Sequence, residues 1–247
     1  MALLLKNGAV FLHIPKTGGT WVGSVLRELD LVRCPVSHFH ADADRLFLPG
    51  FKRGKIARPD LLRQRKKYLN TRTKPFMFSF VRHPLSWYES WFKYMSMAVK
   101  SWRAHGAEID LKGRTWHPNA ALNELGSSDF NTFVRNVVRA RPGYVTEMFG
   151  WYTKGADFVG KQENLADDLY RALDTMGLIE GDGAEIRGRS RVNASETPKI
   201  PIEWDPALRR EVERLEYAGI VRYGYEATDC WDGSGAAVGT GDAGKGF

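Results

Sequence analysis

The chain has 247 residues and a formal net charge of +7, with 43% hydrophobic and 26% charged residues. This length suits one α/β domain, and the composition is that of a globular protein rather than a disordered or fibrous one. No stretch approaches the roughly 18–20 apolar residues that a membrane span needs, and the N-terminus lacks the apolar region of a signal peptide. Cys34 and Cys230 are too few for a disulfide framework. We therefore expect a cytoplasmic protein without a membrane span.

The first predicted elements are a strand at about Ala9–Ile14 and an amphipathic helix at about Gly18–Leu29. They are joined by the sequence Lys16-Thr17-Gly18-Gly19-Thr20. Because glycine tolerates positive φ, the chain can turn sharply there and direct successive backbone N–H groups to one point at the helix N-terminus. The pattern predicts a site for a phosphate or sulfate group.

The position of Lys16 separates this loop from that of nucleotide triphosphatases. Their loop reads G-x-x-x-x-G-K-[ST], with the lysine after the glycines and a hydroxyl that holds magnesium. Here Lys16 precedes the glycines, and the triphosphatase pattern occurs nowhere in the chain. The order of residues argues against a nucleotide kinase or triphosphatase.

A second predicted strand, Phe76–Val81, leads directly into Arg82-His83-Pro84. Pro84 suits the first turn of a helix, where its missing N–H costs nothing, and we predict that this helix extends to about Val99. Arg82 at the strand end and Ser90 in the helix can then face one anion. Two anion sites on strands of one sheet meet the requirement of a bisphosphate nucleotide.

These segments resemble the sulfotransferases, which transfer a sulfuryl group from 3'-phosphoadenosine 5'-phosphosulfate (PAPS) to a hydroxyl. The family's loop for the 5'-phosphosulfate is similar to Lys16, Thr17, Gly18, Gly19 and Thr20. The sequence from His13 to Thr20 looks most like that of the carbohydrate branch. Arg82 and Ser90 resemble the pair that holds the 3'-phosphate. The resemblance implies a metal-free reaction that releases adenosine 3',5'-bisphosphate (PAP), with Lys16 stabilising charge on the leaving oxygen.

The attacking hydroxyl must lose its proton, and histidine is the usual base. His13 lies on the first strand and His83 in the turn, where structural roles are expected, while His105 and His117 fall in an unpatterned insertion. His38 and His40 remain, and on an extended segment they point the same way. This segment resembles the histidine-bearing element of glycan 2-O and 6-O sulfotransferases. We predict His40 as the base, with His38 as the alternative.

Two further nucleotide contacts are implied mainly by the resemblance. Trp21 either stacks on adenine, as in cytosolic sulfotransferases, or packs in the core as part of the apolar face of the first helix. The segment Arg187–Ser195 resembles the family's late nucleotide-covering loop. The resemblance implies that Arg189, Arg191 or Ser195 closes over the 3'-phosphate.

The remaining pattern alternates strands and helices, which favours a parallel sheet flanked by helices. We predict an insertion loop at 100–128, helices at Asp129–Ala140 and Asn164–Met176, a strand at Asp157–Lys161, and a last helix from Asp205-Pro206. The fold class is therefore α/β, a single P-loop-like sulfotransferase domain with a central parallel sheet over residues 1–232. The glycine-rich residues 233–247 are predicted to be a disordered tail.

Positive charge is concentrated between Arg45 and Lys74, where eleven lysines and arginines are opposed only by Asp60. Such a block is either a solvated surface or a site for an anionic partner. With the resemblance it favours a glycan acceptor, anionic or neutral, and no nucleic-acid motif accompanies it. A small-molecule or lipid hydroxyl is the alternative acceptor. A nucleotide kinase and a non-catalytic binder of anionic glycans are the remaining alternatives.

Overall fold

The structure is a computed structural model, and it describes residues 2–36, 40–47, 74–97, 118–189 and 202–226. The predictions for residues 48–73 of the basic block, for residues 100–117 of the insertion and for the tail at 233–247 lie outside these residues. No helix in the described ranges is both long and apolar enough to cross a membrane.

A mixed sheet of five strands lies at the centre of the described residues. The strands are β1 (Leu3–Leu5), β2 (Val10–Leu12), β3 (Val32–Pro35), β4 (Met77–Val81) and β5 (Phe158–Lys161), in the spatial order β3-β1-β2-β4-β5. β2, β4 and β5 are parallel, whereas β1 runs antiparallel to both β2 and β3. The prediction of a wholly parallel sheet is therefore wrong at the β3–β1 edge.

A tight hairpin explains this difference. Three leucines form β1, and the chain reverses through Asn7-Gly8, where Gly8 has a φ of +94°. The N–H of Leu5 donates to the carbonyl of Ala9 across the turn at 2.8 Å. Asn-Gly is a strong hairpin signal, but a three-residue strand is too short to give a periodic pattern.

Helices cover both faces of the sheet. In chain order the α-helices of the described residues are α1 (Gly19–Glu28), α2 (Ala43–Phe47), α3 (Pro84–Met97), α4 (Phe130–Ala140), α5 (Tyr144–Thr153), α6 (Leu165–Thr175), α7 (Ala184–Arg187), α8 (Pro206–Leu215) and α9 (Tyr217–Arg222). Short 3₁₀ helices span Pro118–Leu125 and Gln162–Asn164. The predicted helices lie close to α1, α3, α4, α6 and α8, whereas α5 was not predicted and Pro118–Leu125 replaces part of the predicted loop.

Alternation along the strands divides the core into two layers. Phe78 and Phe80 of β4 pack with α1 and α6 on one face. Met77 and Val81 face the other way and pack with α3, α4, α5 and α8. The described chain is thus an α/β structure whose sheet is buried on both sides.

Two predicted helix starts are confirmed by their capping bonds. The side chain of Asp129 accepts the N–H of Thr132 at 2.7 Å, and the side chain of Asp205 accepts the N–H of Leu208 at 2.9 Å. Asn164 precedes α6 as predicted, but its side chain makes no capping bond. The Asp168 carboxylate instead accepts the N–H of Lys161 at 2.7 Å and ties α6 to the end of β5.

Candidate anion-binding site

The Lys16 loop and the Arg82 turn leave the same edge of the sheet, next to each other. They follow β2 and β4, which are hydrogen-bonded parallel neighbours with Leu12 opposite Ser79. Neighbouring strands lie about 4.8 Å apart, so the segments that continue from their carboxyl ends emerge side by side. The structure therefore brings together the two motifs that the sequence places 66 positions apart, from Lys16 to Arg82.

The loop backbone adopts left-handed conformations at two positions. Gly18 has a φ of +82°, and Lys16, which is not a glycine, has a φ of +65°. A non-glycine residue in this region costs on the order of 1–2 kcal/mol, and such strain concentrates at binding sites. The buried Thr17 hydroxyl donates to the carbonyl of Ile14 at 3.0 Å and holds the turn. The side chain of Thr17 therefore supports the loop from within.

Gly18 and Gly19 let α1 approach its neighbours closely. A Cβ at Gly18 would lie 2.5 Å from Cδ2 of Leu165, and a Cβ at Gly19 would overlap the His13 ring. Gly18 is the N-cap residue of α1 and supplies no capping side chain. The N–H groups of Gly19 and of the exposed Thr20 consequently lie at the positive end of the helix without an intrahelical acceptor.

Lys16 is a half-buried cation. Its Nζ lies 4.4 Å from the centroid of the Tyr94 ring, and it forms no ion pair with a carboxylate within the ranges that the structure describes. Burial, with a smaller contribution from the nearby charge of Arg82, lowers the pKa of Lys16 to about 8. The ammonium is still mainly protonated at neutral pH, but no described residue supplies the carboxylate with which a buried cation normally pairs.

Arg82 is in the same condition. Among the described residues, its enclosed Nε has no hydrogen-bond partner and its guanidinium makes no ion pair. Burial lowers the pKa of Arg82, while the charges of Glu163 and Glu89 act in the opposite direction. Two mutually repelling cations thus share a partly buried site. A ligand with negative charge at two points would supply what both lack.

Helix α3 holds the loop in place. The indole N–H of Trp87 donates to the carbonyl of Pro15 at 2.9 Å, and Tyr94, two turns further along α3, lies against Lys16. Ser90 lies one turn after Trp87 and one turn before Tyr94, so it flanks the face directed at the loop. Its half-buried hydroxyl makes no hydrogen bond with any described residue. Lys16, Arg82 and Ser90 thus lie on neighbouring elements that converge.

Trp87 and Tyr94 are site residues that the sequence analysis did not assign. Their signal was available, because Trp87, Trp91 and Tyr94 are spaced as one face of a helix. Such a face is usually core, and Trp87 is indeed fully buried. Its bond to Pro15 is a contact that spacing alone does not reveal.

His40 lies beside the first motif. Its Nδ1 is 3.0 Å from the carbonyl oxygen of His13, and its ring centroid is 4.8 Å from that of His13. A carbonyl can only accept, so Nδ1 carries the hydrogen, and the neutral ring has its lone pair on Nε2. The Tyr152 hydroxyl donates to the His40 carbonyl at 2.7 Å and fixes the backbone. His38 lies outside the described residues.

The other predicted nucleotide contacts divide into three outcomes. Trp21 is 5% exposed and packs in the core layer between the sheet and helices α1 and α6, which favours a packing role over stacking on adenine. Arg189 pairs with Glu28 and Glu185, and Glu28 ends α1 about 13 Å from its first residue. Arg189 is therefore paired with carboxylates near the end of α1 that is opposite the Lys16 loop. Arg191 and Ser195 lie outside the described residues.

Comparisons with protein-family models, with curated proteins and with solved structures find no match to this chain. Within the described residues, no group of three or more His, Cys, Asp or Glu side chains is arranged to hold a metal ion.

Proposed function

We propose that this protein is a sulfotransferase that moves a sulfuryl group from PAPS to a hydroxyl acceptor. The observation that carries the proposal is the pair of half-buried cations, Lys16 and Arg82, which follow adjacent parallel strands and make no ion pair among the described residues. A nucleotide with phosphates at its 5' and 3' positions offers two anionic groups on one rigid ribose. Such a ligand would supply a separate counter-charge to each of the two cations.

The Lys16 loop would bind the reacting end of the donor. The N–H groups of Gly19 and Thr20 would hold the 5'-phosphate at the start of α1. The Lys16 ammonium would contact the oxygen between phosphorus and sulfur, on which negative charge grows as the sulfur–oxygen bond breaks. PAP would leave with that electron pair, while the acceptor oxygen forms the new bond to sulfur.

Arg82 and Ser90 would bind the other end of the donor, the 3'-phosphate. A guanidinium presents planar N–H donors that match phosphate oxygens, and the Ser90 hydroxyl adds a neutral donor. This second contact would distinguish PAPS from nucleotides that lack a 3'-phosphate. Binding energy gained there would also orient the sulfuryl group for attack.

His40 would take the proton of the acceptor hydroxyl. Its bond to the His13 carbonyl leaves Nε2 as the basic nitrogen, and His13 is only three residues before Lys16. The proton would pass from the acceptor oxygen to Nε2 as that oxygen attacks sulfur. We propose His40 as the base because its ring lies beside the strand end that leads into the Lys16 loop.

A carbohydrate is the proposed acceptor, in agreement with the sequence of the motif from His13 to Thr20 and with the basic block between Arg45 and Lys74. The test is incubation with PAPS and panels of anionic glycans, neutral glycans, small alcohols and lipids, followed by mass analysis. We expect an added sulfuryl group on a glycan with the wild type, and about 10³-fold slower transfer with Lys16→Ala. Transfer only to a lipid or to a small alcohol would contradict the proposal of a carbohydrate acceptor. Absence of transfer, together with stabilisation only by ATP and magnesium, would contradict the proposal.

A further inference from the structure

Glu163 carries a carboxylate near Arg82, but both of its oxygens are hydrogen-bonded to groups other than the guanidinium. Oε1 of Glu163 accepts the N–H of His83 at 2.9 Å, and Oε2 accepts the hydroxyl of Tyr225 at 2.8 Å. Glu163 lies in the 3₁₀ helix after β5, and Tyr225 belongs to the segment that follows α9. Three segments distant in sequence therefore meet at the turn that carries Arg82.

Several contacts keep this segment in place. The Lys161 ammonium donates to the carbonyl of Gly224 at 2.5 Å and lies 4.8 Å from the Tyr225 ring centroid. The His83 ring meets the Tyr225 ring edge-on at 5.2 Å between centroids. Burial and the neighbouring Glu163 raise the pKa of Tyr225, so its hydroxyl remains a hydrogen-bond donor.

The orientation of the Glu163 carboxylate matters to Arg82. Both carboxylate oxygens face the His83 N–H and the Tyr225 hydroxyl, and Glu163 and Arg82 form no ion pair. Glu163 nevertheless lies close to Arg82, because its Oε1 accepts the backbone N–H of the next residue, His83, and its charge acts on the pKa of Arg82. A carboxylate released from Tyr225 could turn to the guanidinium and compete with an incoming phosphate.

We propose that Tyr225 holds the Glu163 carboxylate away from Arg82, so that the C-terminal segment keeps the guanidinium available for the 3'-phosphate of the nucleotide. Tyr225 is thus a positioning residue that acts through Glu163 and touches no reacting atom. This inference rests on the proposed function, because it assigns the 3'-phosphate to Arg82.

The test measures the affinities of PAP and of adenosine 5'-monophosphate, which lacks the 3'-phosphate, by titration calorimetry. In Tyr225→Phe the freed Glu163 pairs with Arg82, so we expect PAP to bind about fivefold more weakly while the monophosphate changes less than about twofold. Tyr223→Phe is the matched control, since it removes a hydroxyl bonded to Thr153 Oγ1 at 2.8 Å in the same segment and leaves Glu163 untouched.

The double variant Tyr225→Phe with Glu163→Gln separates this role from a structural one. A glutamine at 163 can still accept the His83 N–H but cannot form an ion pair with Arg82, so PAP affinity should return to within about twofold of the wild type. A double variant as weak as Tyr225→Phe, or a Tyr225→Phe protein with an unchanged ratio of the two affinities, would overturn the inference. Wild-type protein that binds both nucleotides equally would instead contradict the proposed function. Thermal unfolding of each variant verifies that it is folded.

Discussion

The carboxylate of Glu216 and the cations of Lys16 and Arg82 are all at least half-buried, but among the described residues only the carboxylate has hydrogen-bond partners. Glu216 is fully buried and accepts hydrogen bonds from the Tyr88 hydroxyl at 2.9 Å and from the N–H and hydroxyl of Thr146 at 2.8 and 2.6 Å. Lys16 and Arg82 make no comparable bond among the described residues.

The difference separates a structural charge from a binding charge. Glu216 lies at the N-terminus of α5, where the helix dipole also favours an anion, and it joins that helix to α3. Its bonds are complete, so it has nothing to offer a ligand. Lys16 and Arg82 instead repel each other, and a bound dianion would relieve that repulsion.

Removing Lys16 should have the largest effect on activity. We expect Lys16→Ala to lower the rate of sulfuryl transfer about 10³-fold, about 4 kcal/mol, because charge on the leaving oxygen loses its stabilisation. The midpoint of thermal unfolding should not fall, since the repulsion with Arg82 is removed. Lys6→Ala, which deletes an exposed lysine paired with Asp30, is the control. If the activity of Lys16→Ala stayed within tenfold of the wild type, Lys16 would not be the group that stabilises charge on the leaving oxygen.

Removing Glu216 should have the opposite profile. Glu216→Ala leaves the Tyr88 hydroxyl and the α5 amides without their acceptor, and we expect the free energy of unfolding to fall by about 3 kcal/mol. Urea denaturation measures this, with Glu147→Ala as the control. Glu147 pairs with Arg141 at the surface at 2.9 Å, and its loss should cost less than about 1 kcal/mol. Equal losses of unfolding free energy in Glu216→Ala and Glu147→Ala would contradict the structural role of Glu216.

Replacing His40 by asparagine should affect turnover and spare binding. The Asn side chain can still donate to the His13 carbonyl, but it lacks the basic nitrogen at the Nε2 position. We expect kcat to fall about 10²-fold while the dissociation constant of PAP stays within about twofold. Steady-state kinetics with calorimetry measures both. A kcat within a few-fold of the wild type would move the base to His38.

The pKa of Lys16 gives a smaller, pH-dependent effect. In the free protein this pKa lies at about 8, below the ordinary value for lysine, so Lys16 loses its proton as the pH rises above 8. PAP affinity should change little near pH 7, where the PAP phosphates and Lys16 are both charged, and fall by up to about tenfold per pH unit above 8. Lys16→Arg, which stays charged, should lack this decline. A wild-type profile that is flat to pH 9.5 would contradict the assignment.

The sequence predicts the parts of the site that depend on local pattern. The strands that lead to Lys16 and to Arg82 can be predicted because apolar runs and turn residues are local features of the sequence. Since these strands are parallel neighbours, their carboxyl ends lie at the same edge of the sheet. The antiparallel β1 was missed because three leucines carry no period, although Asn7-Gly8 held the relevant signal.

The missed features depend on contacts between distant positions. Helix α5 has many aromatic residues and an internal Gly150, and its first turn is stabilised by Glu216, about 70 positions away. The bond between Glu163 and Tyr225 spans 62 positions. No spacing rule predicts such pairs, because they exist only after the sheet and its covering helices have assembled.

The central claim is that one nucleotide joins the Lys16 loop to the Arg82 turn. A crystal structure of the protein with PAP tests it most directly. We predict the 5'-phosphate at the N–H groups of Gly19 and Thr20 beside Lys16, and the 3'-phosphate within hydrogen-bonding distance of Arg82 and Ser90. A nucleotide that occupies only one of these positions, or that binds at another surface, would contradict the account.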